Sequence, residues 1–264
     1  MAPEARYETI ALSHDGGVSR LTLNRPPLNL VTSTLLEEVI AALDLLEQRG
    51  ETRAVILTGA GDRAFCAGAD LGEESRGGGD GGYRFRKRGQ ALVDRLETFP
   101  KPTVAGIRGW CIGGGTALAW PCDIRLASTT TKFRTADVYL GLVPSWGMGF
   151  VRLVHYVGRN RAMDMLLLGE DVGAEEALRM GLVSRVVPDD RFDAELARIA
   201  LRLAGSAPIA VRAVKEAIRA QYRDGYDRAK VLEESWADLV AATDDAHEGV
   251  AAFKEKRRPA FKGR

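Results

Sequence analysis

The stretch Thr103-Val104-Ala105-Gly106-Ile107-Arg108-Gly109-Trp110-Cys111-Ile112-Gly113-Gly114-Gly115-Thr116-Ala117-Leu118-Ala119-Trp120-Pro121-Cys122-Asp123-Ile124-Arg125-Leu126-Ala127 decides the fold class. Residues 103–107 and 124–127 are short, mostly apolar runs with β-branched members, which reads as buried strand. Between them, residues 114–120 start on a glycine triplet and continue with good helix formers. A strand, a glycine turn, a helix and a second strand make the repeating unit of an α/β protein.

Working outward, the same alternation continues. Towards the N-terminus, residues 54–58 form another continuous apolar run, hence a buried strand. A helix over 32–49 precedes it, with Thr32 or Ser33 as cap, a 3.6-residue apolar period from Leu35 to Leu46, and Gly50 as the stop. Residues 7–13 and 18–23 read as two strands around a turn at Asp15-Gly16-Gly17. Between the strand at 54 and that at 103, residues 72–82 hold six glycines and read as a flexible loop, followed by a helix over 83–98. Towards the C-terminus come helices over 147–156 and 159–168, split at Val157-Gly158, and a last strand over 182–187. From Asp190 onward only helices are predicted, broken near Gly205–Pro208 and at Asp224-Gly225. There is no fixed-period repeat.

Composition narrows the function. The 264 residues carry 37 Lys plus Arg and 36 Asp plus Glu, a net charge of +1. That balance argues against nucleic acid or a membrane surface as a dedicated partner, because both need massed positive charge. Cys66, Cys111 and Cys122 include no CxxC pair, so neither a disulfide framework nor a thiolate metal site is indicated. The three histidines are far apart and lack ligand spacing, so no metal is expected. No targeting segment and no membrane span are visible in the sequence, and a reducing, cytoplasmic setting is the expectation. The outlier is glycine, 29 residues where an average chain has about 7 %.

Two glycine-bearing segments each follow a strand and enter a helix: Thr58 to Leu71, and Gly106 to Ala117. A helix start presents unpaired backbone N–H groups and the positive end of the dipole. Small residues let a ligand oxygen approach that backbone. Two such ends meeting at one point would form a two-donor oxyanion hole. A dinucleotide fingerprint fails, because Leu118 stands where GxGxxG needs its third small residue. Glycines that merely permit tight strand–helix packing remain the alternative for either segment taken alone.

Taken together, these segments resemble the enoyl-CoA hydratase/isomerase (crotonase) family. The resemblance rests on Leu23-Asn24-Arg25-Pro26-Pro27-Leu28-Asn29, Ala54 to Gly59, Ala64-Phe65-Cys66-Ala67-Gly68-Ala69-Asp70-Leu71, Gly109 to Gly115, and Cys122 to Ala127. It continues through Gly141-Leu142-Val143-Pro144, Ala177 to Val183, and Glu248 to Arg257. It implies an α/β fold, a spiral of ββα units over 1–200 holding an acyl-CoA site, with an all-helical region over 201–264 that makes a homo-trimer or a hexamer (a dimer of trimers). The implied ligand is an acyl-CoA thioester, with coenzyme A as part of the substrate and no separate cofactor. The thioester carbonyl would accept from the backbone N–H groups of Ala69 and Gly114. Pro27, Leu28, Ala67, Asp70 and Leu71 would lie near the adenosine end of coenzyme A. Phe253 and Lys256 would reach it from the C-terminal helix, either of the same chain or of a neighbouring subunit.

The chain departs from the family's two-glutamate pattern. The first glutamate position holds Ala117, which moves no proton, and the second holds Asp137. Loss of one acid/base group typically costs about 10²–10⁴-fold, so a single-carboxylate reaction through Asp137 is the expectation: enoyl-CoA isomerisation, or a weak hydration. A loop-capping role is the alternative for Asp137. A third option rests on Ser145 and Trp146, since family decarboxylases and other thioester-enolate enzymes place a distinguishing residue near Ser145. Ser145 could equally cap the following helix, and Trp146 wall an acyl pocket. The basic run Arg84, Arg86, Lys87, Arg88, with Tyr83 and Phe85 interleaved, leaves three readings open: a solvated face, attraction for coenzyme A phosphates, or an RNA-binding comb. A non-catalytic acyl-CoA-binding or RNA-binding member is the rival class. The cysteines read as inert fillers.

Overall fold

A computed structural model describes residues 7–72, 78–144 and 152–264. The chain opens with β1 (Ile10–Asp15) and β2 (Val18–Leu23), an antiparallel hairpin in which Asp15 faces Val18 across a two-residue turn. Helix α1 (Ser33–Gln48) follows, and the Thr32 hydroxyl accepts from the Leu35 N–H at 3.1 Å, so Thr32 is the cap. Then come β3 (Ala54–Gly59), β4 (Ala64–Cys66), α2 (Gly78–Thr98), β5 (Thr103–Ile107), β6 (Trp110–Ile112), α3 (Gly114–Ala119), β7 (Ile124–Ser128) and β8 (Lys132–Arg134).

The order of these strands is the architecture. From β3 to β8, odd-numbered strands join a six-stranded sheet and even-numbered strands join a four-stranded one. β3 pairs β5 and β5 pairs β7, all parallel, while β4 pairs β6 and β6 pairs β8, also parallel. Each turn of the chain therefore adds one strand to each sheet and returns through a helix, a spiral of ββα units. Helix α4 (Leu153–Met163), β9 (Val172–Gly173), α5 (Ala174–Arg179) and β10 (Arg185–Val187) complete the sheets. Four helices end the chain: α6 (Phe192–Ala204), α7 (Pro208–Arg223), α8 (Tyr226–Ala241) and α9 (Asp244–Glu255).

The buried runs make sense once both faces of the large sheet are considered. In β3, Val55 and Leu57 enter the main core with α1 and α2, while Ile56 enters a second core with Phe192, Leu196 and Ile199 of α6. Alternation along the strand thus sends apolar side chains to both faces, so the run is continuous instead of alternating with polar residues.

Three points differ from the expectation. The segment 72–82 is not a loop throughout, because α2 begins at Gly78. The four-stranded sheet was not anticipated at all. Its strands have two or three residues each, too few to show a period, and their neighbours are set by the spiral. The last strand is also shorter than expected, Arg185–Val187. The helix break predicted at Val157-Gly158 is present: Gly158 has φ 75° and ψ 163° inside α4. The beginning of the helix expected from residue 147 lies outside the described residues.

Candidate active site

The two glycine-bearing segments meet. Gly68 has φ +101°, and a Cβ there would lie 3.2 Å from the Ile112 oxygen and 3.8 Å from the Gly114 nitrogen. Only a residue without a side chain holds that backbone so close to the start of α3. Val31 donates to the Gly68 oxygen at 2.9 Å and Asp70 donates to the Val31 oxygen at 2.8 Å, a one-residue parallel bridge centred on Ala69. In extended backbone, neighbouring residues alternate sides, so the Ala69 N–H faces away from Val31. Gly114 is the first residue of α3, where an N–H has no partner within the helix. Among the described residues neither N–H has a hydrogen-bond partner, whereas the Gly113 N–H donates to the Arg134 oxygen at 3.0 Å.

Both groups border a cavity of about 1090 Å³. Ala67, Leu71, Ala117 and Asp137 line it as well. Asp137 begins a short 3₁₀ turn, Asp137–Leu140, directly after β8. That turn is anchored on both sides: the Thr135 hydroxyl donates to the Met165 oxygen at 2.9 Å, and the Tyr139 hydroxyl to the Leu167 oxygen at 3.1 Å. Burial pushes the Asp137 carboxyl above its ordinary range, opposed in part by its own backbone N–H. Among the described residues it is the one carboxylate in the cavity wall. Ala117 is buried one turn into α3.

Other candidates fall elsewhere. Asp70 pairs with Arg25 at 3.8 Å and accepts from the Gly72 N–H at 3.1 Å, outside the cavity wall. Pro27 and Leu28 lie behind the same loop, where the Ala67 N–H donates to the Leu28 oxygen at 2.9 Å. Phe253 is 86 % exposed on α9, and Lys256 follows that helix, exposed. Neither borders the cavity within this chain. Ser145 and Trp146 lie outside the described residues.

The basic run 84–88 separates. Phe85 is buried in the core, so it offers no face for stacking a base. Arg88 pairs with Glu37 at 2.9 Å, Arg84 and Lys87 are exposed, and Arg86 turns into the cavity wall. Arg86, Arg134 and Tyr139 are site residues that no motif announced individually; their signal is spatial. Cys66, Cys111 and Cys122 are buried, and burial pushes the thiols of Cys66 and Cys122 up to about 12, which suits inert packing. Among the described residues, no cluster of three or more His, Cys, Asp or Glu is placed to hold a metal ion, and no helix is long and apolar enough to cross a membrane.

The family model described as enoyl-CoA hydratase/isomerase matches residues 13–264. A probable enoyl-CoA hydratase of Bacillus subtilis is 37 % identical over 256 residues, covering 96 % of this chain and 98 % of that protein. A short-chain-enoyl-CoA hydratase of Clostridium acetobutylicum is 36 % identical over 257 residues, covering 97 % and 98 %. The crystal structure of an enoyl-CoA hydratase from Bacillus anthracis superposes with a TM-score of 0.93 at 34 % identity, covering 97 % of this chain and 100 % of that one. The matches run along nearly the whole chain, which belongs to the enoyl-CoA hydratase/isomerase family and is an acyl-CoA enzyme with the crotonase fold.

Proposed function

We propose that the cavity binds an enoyl-CoA thioester with its carbonyl oxygen between the Ala69 and Gly114 N–H groups, and that Asp137 moves the substrate's protons. The observation that carries this reading is the pairing of two unused backbone donors with a single carboxylate in one cavity wall. Removing an α-proton from a thioester leaves an enolate whose charge sits on that oxygen. A preorganised donor aimed at it is typically worth about 2.7–4 kcal/mol of barrier. Asp137 takes the α-proton of a 3-enoyl-CoA and returns it at C4, which shifts the double bond to the 2 position. One carboxylate suffices, because it ends as it began.

A second reading is hydration of a 2-enoyl-CoA, favoured by the printed names of the relatives. Ala117 stands against an efficient version, since water addition uses a second acid/base group in the two-carboxylate scheme. Both reactions are followed in one paired assay with 2-enoyl-CoA and 3-enoyl-CoA thioesters. Asp137→Asn is expected to lower kcat about 10²–10⁴-fold on whichever is turned over. Full activity in that variant would remove Asp137 from the mechanism.

The same reading extends to assembly. Val214, Ile218, Tyr226, Val231, Val250 and Phe253 of the C-terminal helices are large apolar residues left exposed in the single chain. This supports association with copies of the same chain as a trimer or a dimer of trimers, with Phe253 and Lys256 offered to a neighbour's coenzyme A.

A further inference from the structure

We propose that Arg86 makes this site selective for acyl groups that end in a second carboxylate. The inference rests on the proposed acyl-CoA site and names its substrate class.

Three observations carry it. First, Arg86 is the member of the basic run that turns inward: Arg84, Lys87 and Arg88 are exposed, while Arg86 is half-buried in the wall of the cavity that holds Asp137 and Ala117. Second, among the described residues the guanidinium has no anionic partner; its one contact is the face of Tyr83, 5.4 Å from the ring centroid. The other cation of the wall, Arg134, is occupied, donating to the Gly169 oxygen at 2.9 Å and pairing with Asp171 at 3.9 Å. Third, Arg86 stands on α2 directly after Phe85, which is buried in the core, so its position is fixed by a helix and not by a loop. A half-buried cation with no counter-ion among the described residues gains from an anionic ligand group. The Tyr83 ring flanks the guanidinium, and the N–H fork of an arginine matches a carboxylate.

A coenzyme A phosphate has the same charge. The exposed cations of the same helix are better placed for so strongly hydrated a group, and Arg86 is the one withdrawn from water.

The test compares straight-chain acyl-CoA thioesters of four to eight carbons with counterparts of equal length bearing an ω-carboxylate. Enoyl forms give kcat/KM, and saturated forms give Kd by calorimetry, a measurement independent of proton transfer. The full-length protein is expected to favour the ω-carboxylate series at one chain length by about tenfold or more. Arg86→Leu is expected to lower the preference ratio about tenfold to a hundredfold, the usual scale for a charge-assisted pair, and Arg86→Lys to recover part of it. Equal weakening of both series in Arg86→Leu would overturn the proposal in favour of a phosphate contact, and no preference in the unaltered protein would overturn it outright. A preference in Kd that survives Asp137→Asn while turnover is unaffected by that change would retain Arg86's role and reject the proton-transfer reading.

Discussion

At the residue scale the site turns on Asp137 and Ala117. The Asp137 carboxyl is raised by burial, so the folded chain holds its proton more tightly than the unfolded chain does. Between the ordinary aspartate value and the raised one, stability therefore falls as pH rises, and the penalty persists at neutral pH. Asp137→Asn removes the charge: its Tm is expected to exceed that of the unaltered protein at pH 7, and the gap to close below pH 3, where both carry a neutral group. Activity moves in the opposite sense, since only the ionised carboxylate accepts the α-proton; kcat/KM falls on the acid side at a pH above the ordinary aspartate range. Ala117→Glu places a second carboxylate in the same wall. Its expected effect is a rise of about a hundredfold in 2-enoyl-CoA hydration relative to isomerisation, read in the paired assay. Both residues are legible in the sequence through the family resemblance, which sets the two glutamate positions relative to the glycine triplet. Arg86 was visible only as one of four basic neighbours, and which of them faces the cavity depends on how α2 is rotated against the core.

At the element scale, the meeting of β4 and α3 builds the donor pair. A Cβ at Gly115 would lie 2.1 Å from the Cys66 oxygen, so α3 sits on the end of β4 with no space between them. Gly115→Ala is expected to destabilise the fold by about 1–3 kcal/mol, the range for overpacking, and to lower kcat as Gly114 shifts from Ala69. Urea denaturation and steady-state kinetics check the two effects separately. α1, the large parallel sheet and the break at Gly158 were readable in the chain because each has its own local signal: a cap and a period, an apolar run, a glycine. The four-stranded sheet had none. Its strands become strands by lying beside β4, β6 or β8 of another spiral turn, and their hydrogen-bond partners are distant in sequence.

At the scale of the whole molecule, the C-terminal helices are tied to the core by polar contacts. Lys215 of α7 meets Asp123 at 2.6 Å, and the Tyr222 hydroxyl donates to the buried Glu97 of α2 at 3.0 Å. Arg152 donates to the same carboxylate through Nε at 3.1 Å. Buried contacts of this kind orient one element on another more than they stabilise it. Beyond them, the helices leave large apolar side chains such as Val214, Ile218 and Phe253 open to water. Phe253→Asp is expected to convert the proposed oligomer to monomer in sedimentation velocity and to raise KM for the thioester if Phe253 serves a neighbour's site. A monomeric unaltered protein would reject that assembly.

The sequence by itself determined the alternation of strands and helices, the two glycine-bearing segments, the missing first carboxylate and the surviving Asp137. The alternation and the glycine segments are written locally, in period, cap and motif, and the two carboxylate positions are read through the family resemblance. Only the tertiary structure decided that Gly68 faces the start of the helix at Gly114, how the second sheet is ordered, that Phe85 is core while Arg86 is cavity wall, and that Asp70 is paired with Arg25 outside the cavity. Each of these depends on contacts between residues far apart along the chain, and composition and spacing do not encode which turn of the spiral a side chain will face.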